Sequence, residues 1–114
     1  MKGIGPILTV AFFRSATGNE PVRDWLKSLT REERRIIGED LKKVQFGWPL
    51  GMPLVRKLDR DLWEVRSRLP GRIARVIFTA GEGRMVLVHG FIKKSQKTPK
   101  EDLALAKARL HLLT

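Results

Sequence analysis

The sequence predicts a single α+β domain, and three observations carry that expectation. Apolar residues recur at helical spacing in two short stretches of the first half and again near the C-terminus. Between them lie several runs rich in Val, Ile, Leu and Phe that keep the two-residue rhythm of strands. The breaker-rich stretch Gly47-Trp48-Pro49-Leu50-Gly51-Met52-Pro53 separates the two textures. At 114 residues, 42% hydrophobic and 31% charged, the chain suffices for one core, so residues 1–114 are read as one domain.

The elements follow in order. Ile7–Phe13 is predicted as a first strand from its branched and aromatic residues. Gly18-Asn19-Glu20-Pro21 turns the chain into a helix with Pro21 in its first turn. Along it Val22, Trp25, Leu26 and Leu29 fall at i, i+3, i+4 and i+7, one apolar stripe. Thr30-Arg31-Glu32-Glu33 is a capping box that opens a second helix, whose inward face is Ile37, Leu41 and Val44. The two form a helical hairpin, with Gly38 read as a close-packing or kink position. Strands are predicted over Leu54–Leu58, Leu62–Leu69, Arg72–Thr79 and Met85–Ile92, with turns at Asp59–Asp61, Pro70-Gly71 and Ala80–Arg84. Thr98-Pro99-Lys100-Glu101 reads as a second capping box with Pro99 at N1. A final helix carries Leu103, Ala106, Leu110 and Leu113 on one face.

Composition bounds the function. Lysine plus arginine is 23 and aspartate plus glutamate 12, a net charge of +11. Such an excess attracts phosphate backbones and makes binding steeply salt-dependent, so nucleic acid is the expected partner class. No cysteine is present, which excludes disulfides and thiolate metal sites, and two histidines make a poor zinc site. No metal or cofactor is expected. No apolar run approaches the ~20 residues of a membrane helix. The opening residues Met1–Pro6 lack a signal-peptide core, so the expected location is the cytosol and no membrane partner is expected.

Strand alternation sorts the charge. In Leu62–Leu69, Trp63, Val65 and Leu69 take one face, and Glu64, Arg66 and Arg68 the other. Arg75 sits mid-strand between Ile73 and Ile77 and is assigned to the same open face. With Arg56, Lys57, Arg60, Arg72, Lys93, Lys94 and Lys97, these residues outnumber the local acids. A sheet covered by helices on one side is therefore expected to offer a basic, phosphate-binding face on the other. Cross-strand Glu–Arg pairing on a solvated sheet is the alternative use of the same residues.

Three strings then resemble a known superfamily: Leu62-Trp63-Glu64-Val65-Arg66, Ile73-Ala74-Arg75-Val76-Ile77-Phe78, and Val88-His89-Gly90-Phe91-Ile92-Lys93-Lys94-Ser95-Gln96-Lys97-Thr98-Pro99. They are similar to the RelE/HigB toxins, in the phage-derived HigB-like branch. The Pro21-Val22…Trp25-Leu26…Leu29 opening and Glu101…Ala106…Arg109-Leu110 extend the likeness over most of the chain. The resemblance implies a β-α-α-β-β-β-α fold and the toxin of a type II toxin–antitoxin pair that cuts messenger RNA on the ribosome. It also implies a small antitoxin partner, often of helix-turn-helix type. By position, Arg66 stands at a basic strand residue facing the RNA and Arg75 at the arginine on the scissile phosphate. Lys93 and Lys94 stand at the basic pair ending the last strand. The chain departs from the pattern in having no tyrosine, with Ala74 where this branch often has one, and in carrying Glu64 where RelE has lysine.

The chemistry expected of such a site is attack of a 2′-hydroxyl on its own phosphate. Guanidinium forks at Arg66 and Arg75 suit the charge that develops on the phosphoryl oxygens. Lys93 or Lys94 protonates the leaving 5′-oxygen in this reading, with Arg56, Lys57, Arg68, Arg72 and Lys97 holding the strand. Trp48 is a stacking candidate or a loop anchor; Trp25 and Trp63 are assigned to the core. Glu64 orients an arginine or, less readily, acts as base. His89 is a base candidate or a hydrogen-bonded sheet residue, and His111 a solvated one. A non-catalytic RNA- or ribosome-binding module using the same basic face is the alternative. DNA binding through the second helix is disfavoured by Glu32, Glu33, Glu39 and Asp40.

Overall fold

The structure, a computed structural model, describes residues 5–93 and 97–113. After β1 (Thr9–Phe12) come α1 (Pro21–Lys27) and α2 (Arg31–Gly47), then β2 (Val55–Asp59), β3 (Leu62–Leu69), β4 (Arg72–Gly81) and β5 (Arg84–Lys93), and finally α3 (Lys100–His111). The α+β class holds, and the four strands read from the sequence follow the helical hairpin, one more than the resemblance implies. They form an antiparallel meander; β1 joins it parallel to β5, giving the order β1-β5-β4-β3-β2.

The capping box forms as read. Thr30 Oγ1 accepts from the Glu33 amide at 3.1 Å, and Glu33 Oε1 accepts from the Thr30 amide at 3.0 Å. Val22, Leu29, Ile37, Leu41 and Val44 then pack onto Val65, Val76, Phe78 and Leu87 of the sheet. A fully buried side chain such as Ile37 contributes about 1.5–3 kcal/mol. Gly90 admits the hairpin: a Cβ there would lie 2.4 Å from the Trp25 ring, so only glycine lets this indole rest on β5. Gly38 does not pack closely; it is exposed, with no atom within 4 Å of a Cβ placed on it. The β4–β5 turn closes on Glu82 and Gly83, both at positive φ, which makes it shorter than the predicted Ala80–Arg84 loop.

Two expectations about the other face of the sheet are corrected. That face is not open, because α3 lies across it. Ala106, with Leu103 and Leu110, packs on Phe13, Leu62, Ile77, Val86 and Val88. These apolar residues give the second face a core of its own at one end and leave the charged residues at the other. Nor does Thr98 cap α3. Pro99 holds the N-cap position with no side-chain cap, and the Thr98 hydroxyl turns to β3. Leu113 falls beyond the helix end and is exposed, so the predicted stripe stops at Leu110.

Candidate nucleic-acid interface

Register places the charged residues. Arg66 of β3 is directly opposite Arg75 of β4, and Glu64 is opposite Arg56 of β2 on one side and Ile77 on the other. Directly opposed residues share a face, so Arg56, Glu64, Arg66 and Arg75 stand together with Arg68 on the α3 side of the sheet. Phe91 continues this face on β5, opposite Arg75, and Lys93 is the register partner of Ile73. Lys94 lies outside the described residues.

Burial divides this group. Arg75 is 1% exposed and Glu64 0%; Arg75 Nη1 donates to Glu64 Oε1 at 3.2 Å. The other carboxylate oxygen, Oε2, accepts from Thr98 Oγ1 at 2.7 Å. The expectation of an exposed Arg75 is thus corrected: α3 and the residues leading into it close this part of the face, and a buried guanidinium requires a buried carboxylate. Arg66 is half-buried and Arg68 exposed, and neither side chain forms a hydrogen bond or ion pair among the described residues. The Arg66 Nε is buried without an acceptor, an unmet donor.

Arg66 and Arg68 line a groove of about 520 Å³ at the edge of β3, where β2 has ended. Its other walls are Ile36, Glu39, Asp40 and Lys43 of α2 and Pro53 and Leu54 before β2, so the α2 wall carries two carboxylates and one ammonium. Two residues along a strand span roughly 7 Å, so the two guanidinium groups are presented side by side along the groove.

Other predicted contacts lie elsewhere. Arg72 is taken by Glu33: its Nε and Nη2 each donate at 2.9 Å to the two carboxylate oxygens, pinning the start of β4 to the start of α2. Glu33 is held below the ordinary glutamate range first by the Thr30 amide and then by Arg72, against burial. Lys57 projects to the hairpin side, its ammonium 4.7 Å from the Trp63 ring centroid. Trp48 is an anchor, edge-on to Trp63 at 5.0 Å and to Phe78 at 5.5 Å, which removes it from the groove as a stacking platform. Lys97 is exposed just before Thr98, and Arg56 is half-buried beside Glu64.

His89 belongs to a separate network. Its Nε2 is 2.6 Å from Asp102 Oδ1, and Arg109 Nη1 is 3.4 Å from its Nδ1. A guanidinium can only donate, so Nδ1 accepts and the Nε2–H donates to Asp102. Arg109 also donates to the Val88 carbonyl at 2.7 Å, and burial lowers its pKa. The register shift in β5 between the partners of Ile77 and Phe78 turns Leu87 and His89 to opposite faces, where simple alternation put them on one. This network and the Lys107–Asp59 pair, 2.7 Å, fasten α3 to the sheet.

Sequence reasoning named no side-chain partner for Asp102 or Arg109 and gave Thr98 a capping role that it does not take. Of these only Thr98 carried a signal: proline after it already occupies the helix entry, which leaves the hydroxyl for another partner. Among the described residues no three metal-ligating side chains converge, and no helix is long and apolar enough to cross a membrane.

No curated protein matches the chain. Residues 24–111, from α1 through β2–β5 to the last residue of α3, match the family described as Phage derived protein Gp49-like (DUF891). That span takes in the groove, the buried Glu64–Arg75 pair and the helix over it, and it is most of the chain: the protein belongs to this phage-derived Gp49-like family of the RelE/ParE-like toxin superfamily.

Proposed function

We propose that the protein is the toxin of a type II toxin–antitoxin pair, of the HigB-like branch, and that it cleaves messenger RNA on the ribosome. The observation that supports this reading is the state of Arg66 and Arg68. Arg23, Arg35, Arg72 and Arg75 each pair with a carboxylate, whereas among the described residues Arg66 and Arg68 pair with none, although Glu39 and Asp40 stand on the facing α2 wall of their groove. Cations left unpaired beside a groove suit an anionic strand.

In the proposed reaction the messenger 2′-hydroxyl attacks the adjacent phosphorus and the 5′-oxygen leaves. Arg66 donates to the phosphoryl oxygens, whose charge grows as the bond forms. Arg68, with Arg56 and Lys97, holds the flanking backbone. Lys93 or Lys94 supplies the proton to the leaving oxygen. Arg75 acts from beneath, through Glu64, rather than on the phosphate. The His89 ring is committed to Asp102 and Arg109, so the 2′-hydroxyl gives its proton to solvent water as the O–P bond forms, with the messenger aligned by the ribosome. The antitoxin, a small helix-turn-helix or acidic chain, neutralises by covering this basic surface. Action on ribosome-bound messenger places the protein in the cytoplasm.

Burial of Arg75 favours a second reading, a non-catalytic binder of RNA or ribosome through the same groove. Arg66→Ala separates the two. Primer extension on messenger after induction is expected to show cuts with wild type and none with Arg66→Ala, while ribosome co-sedimentation persists. Cutting that survives Arg66→Ala refutes the assignment of Arg66; wild type that binds ribosomes without cutting selects the binder.

A further inference from the structure

A buried carboxylate among three arginines must be told which one to hold. Glu64 has Arg56 directly across on β2, Arg66 two residues along its own strand, and Arg75 diagonally on β4, all on one face. At 0% exposure it cannot be satisfied by water, so each oxygen needs a protein donor. The Glu64–Arg75 contact, 3.2 Å, is long for a charge-assisted bond, which prefers about 2.7–2.9 Å. The Thr98 contact, 2.7 Å, is the short one. The hydroxyl that makes it has given up the capping place at the start of α3, where the helix goes uncapped by any side chain. Meanwhile Arg66, next on the face, keeps its buried Nε–H unmatched.

We propose that Thr98 is a positioning residue: by holding Oε2 of Glu64, its hydroxyl keeps the buried carboxylate on Arg75 and off Arg66, leaving the Arg66 guanidinium open to a phosphate of RNA. Without that tether the carboxylate turns about its last bond toward the unmet Arg66 donor, because low dielectric strengthens the pull of an unpaired guanidinium. The site would then be inhibited by its own glutamate. Because the segment that leads into α3 supplies the hydroxyl, docking of α3 and availability of Arg66 are coupled. The functional half of this inference rests on the RNA-binding reading above; the structural half does not.

Two measurements keep the halves apart. The first is the ¹⁵N–¹H signal of Arg66 Nε in the full chain. Thr98→Val preserves shape and removes the donor, and it is expected to shift this signal downfield and slow its exchange with solvent. Thr98→Ser is expected to leave the signal as in wild type, and Thr98→Val combined with Glu64→Gln to return it. An Arg66 signal unchanged by Thr98→Val overturns the inference, as does a change that Glu64→Gln does not reverse. The second is binding of a fluorescein-labelled 12-nucleotide single-stranded RNA across a salt series. Thr98→Val is expected to bind roughly tenfold more weakly, the loss of one hydrogen bond to a charged group. Its slope of log affinity against log salt is expected to be smaller by about 0.7. If the Arg66 signal responds as stated while Thr98→Val and Arg66→Ala both bind RNA like wild type, the positioning role stands and the RNA-binding reading falls.

Discussion

Arg75→Ala is the substitution that best exposes how this sheet is built, and its main effect is on stability. Arg75 and Glu64 are 1% and 0% exposed, so removing the guanidinium leaves a buried carboxylate that keeps its bond from Thr98 but has lost its cation. Breaking a buried pair from one side costs about 3–5 kcal/mol. For a domain of this size each kcal/mol moves Tm by roughly 4 °C, so the expected loss is roughly 12–20 °C. Against a total stability of about 5–15 kcal/mol, that leaves little folded protein at the lower end. Replacing both partners, Arg75→Met with Glu64→Gln, removes the stranded charge and is expected to recover at least half of the loss. Urea unfolding followed by tryptophan fluorescence measures both, since Trp48 and Trp63 sit against Phe78 in the core. A loss below about 1 kcal/mol for Arg75→Ala, or a double variant no better than the single, would refute the account of the pair as buried and interdependent. The same reasoning explains why Arg66, rather than Arg75, is the cation to remove when cleavage is being tested.

Further outcomes follow from the same contacts. Glu33, held low by the Thr30 amide and Arg72, and Asp59, held low by Lys107 and the Arg60 amide, both have folded pKa values below their unfolded ones. Their stabilisation is complete above the unfolded carboxylate range and is lost as pH falls through the depressed folded values. Urea midpoints are therefore expected to drop on acidification below about pH 4, and Glu33→Gln to flatten the upper part of that drop; a midpoint independent of pH there counts against both pairs. Gly90→Ala drives a Cβ to within 2.4 Å of Trp25 and is expected to cost about 1–3 kcal/mol, with an altered Trp25 environment in fluorescence. An unperturbed Gly90→Ala would mean that α1 does not rest on β5 as described.

Much of the fold could be read from spacing, because the forces involved act between residues a few positions apart. The stripe Val22–Trp25–Leu26–Leu29 turns inward, and the Thr30/Glu33 box closes within four residues. The strand boundaries fall within a few residues of those expected, apart from the shortened first strand. Alternation also assigned Glu64, Arg66 and Arg68 to one face. Where alternation failed, at Leu87 and His89, a register shift inserted a step that no two-residue rhythm contains. Sequence left Trp48 between stacking and anchoring, because a loop sequence does not say which ring its indole will meet; in the fold it meets Trp63 and Phe78.

The candidate site was legible as a set of charges and illegible as an arrangement. Glu64, Arg66, Arg68 and Arg75 were all in view, yet their four environments differ, from fully buried to exposed. Local pattern established an α+β chain with a helical hairpin, an antiparallel meander and a surplus of cations on one strand face, since periodicity and capping depend on neighbours along the backbone. Which cation stays available was settled by contacts between distant segments: Glu33 with Arg72 across 39 positions, Thr98 with Glu64 across 34, and α3 laid over a face that periodicity left open. Pairings of that kind depend on strand register and on ångström-scale distances, where a carboxylate chooses between guanidinium groups that a linear pattern cannot tell apart.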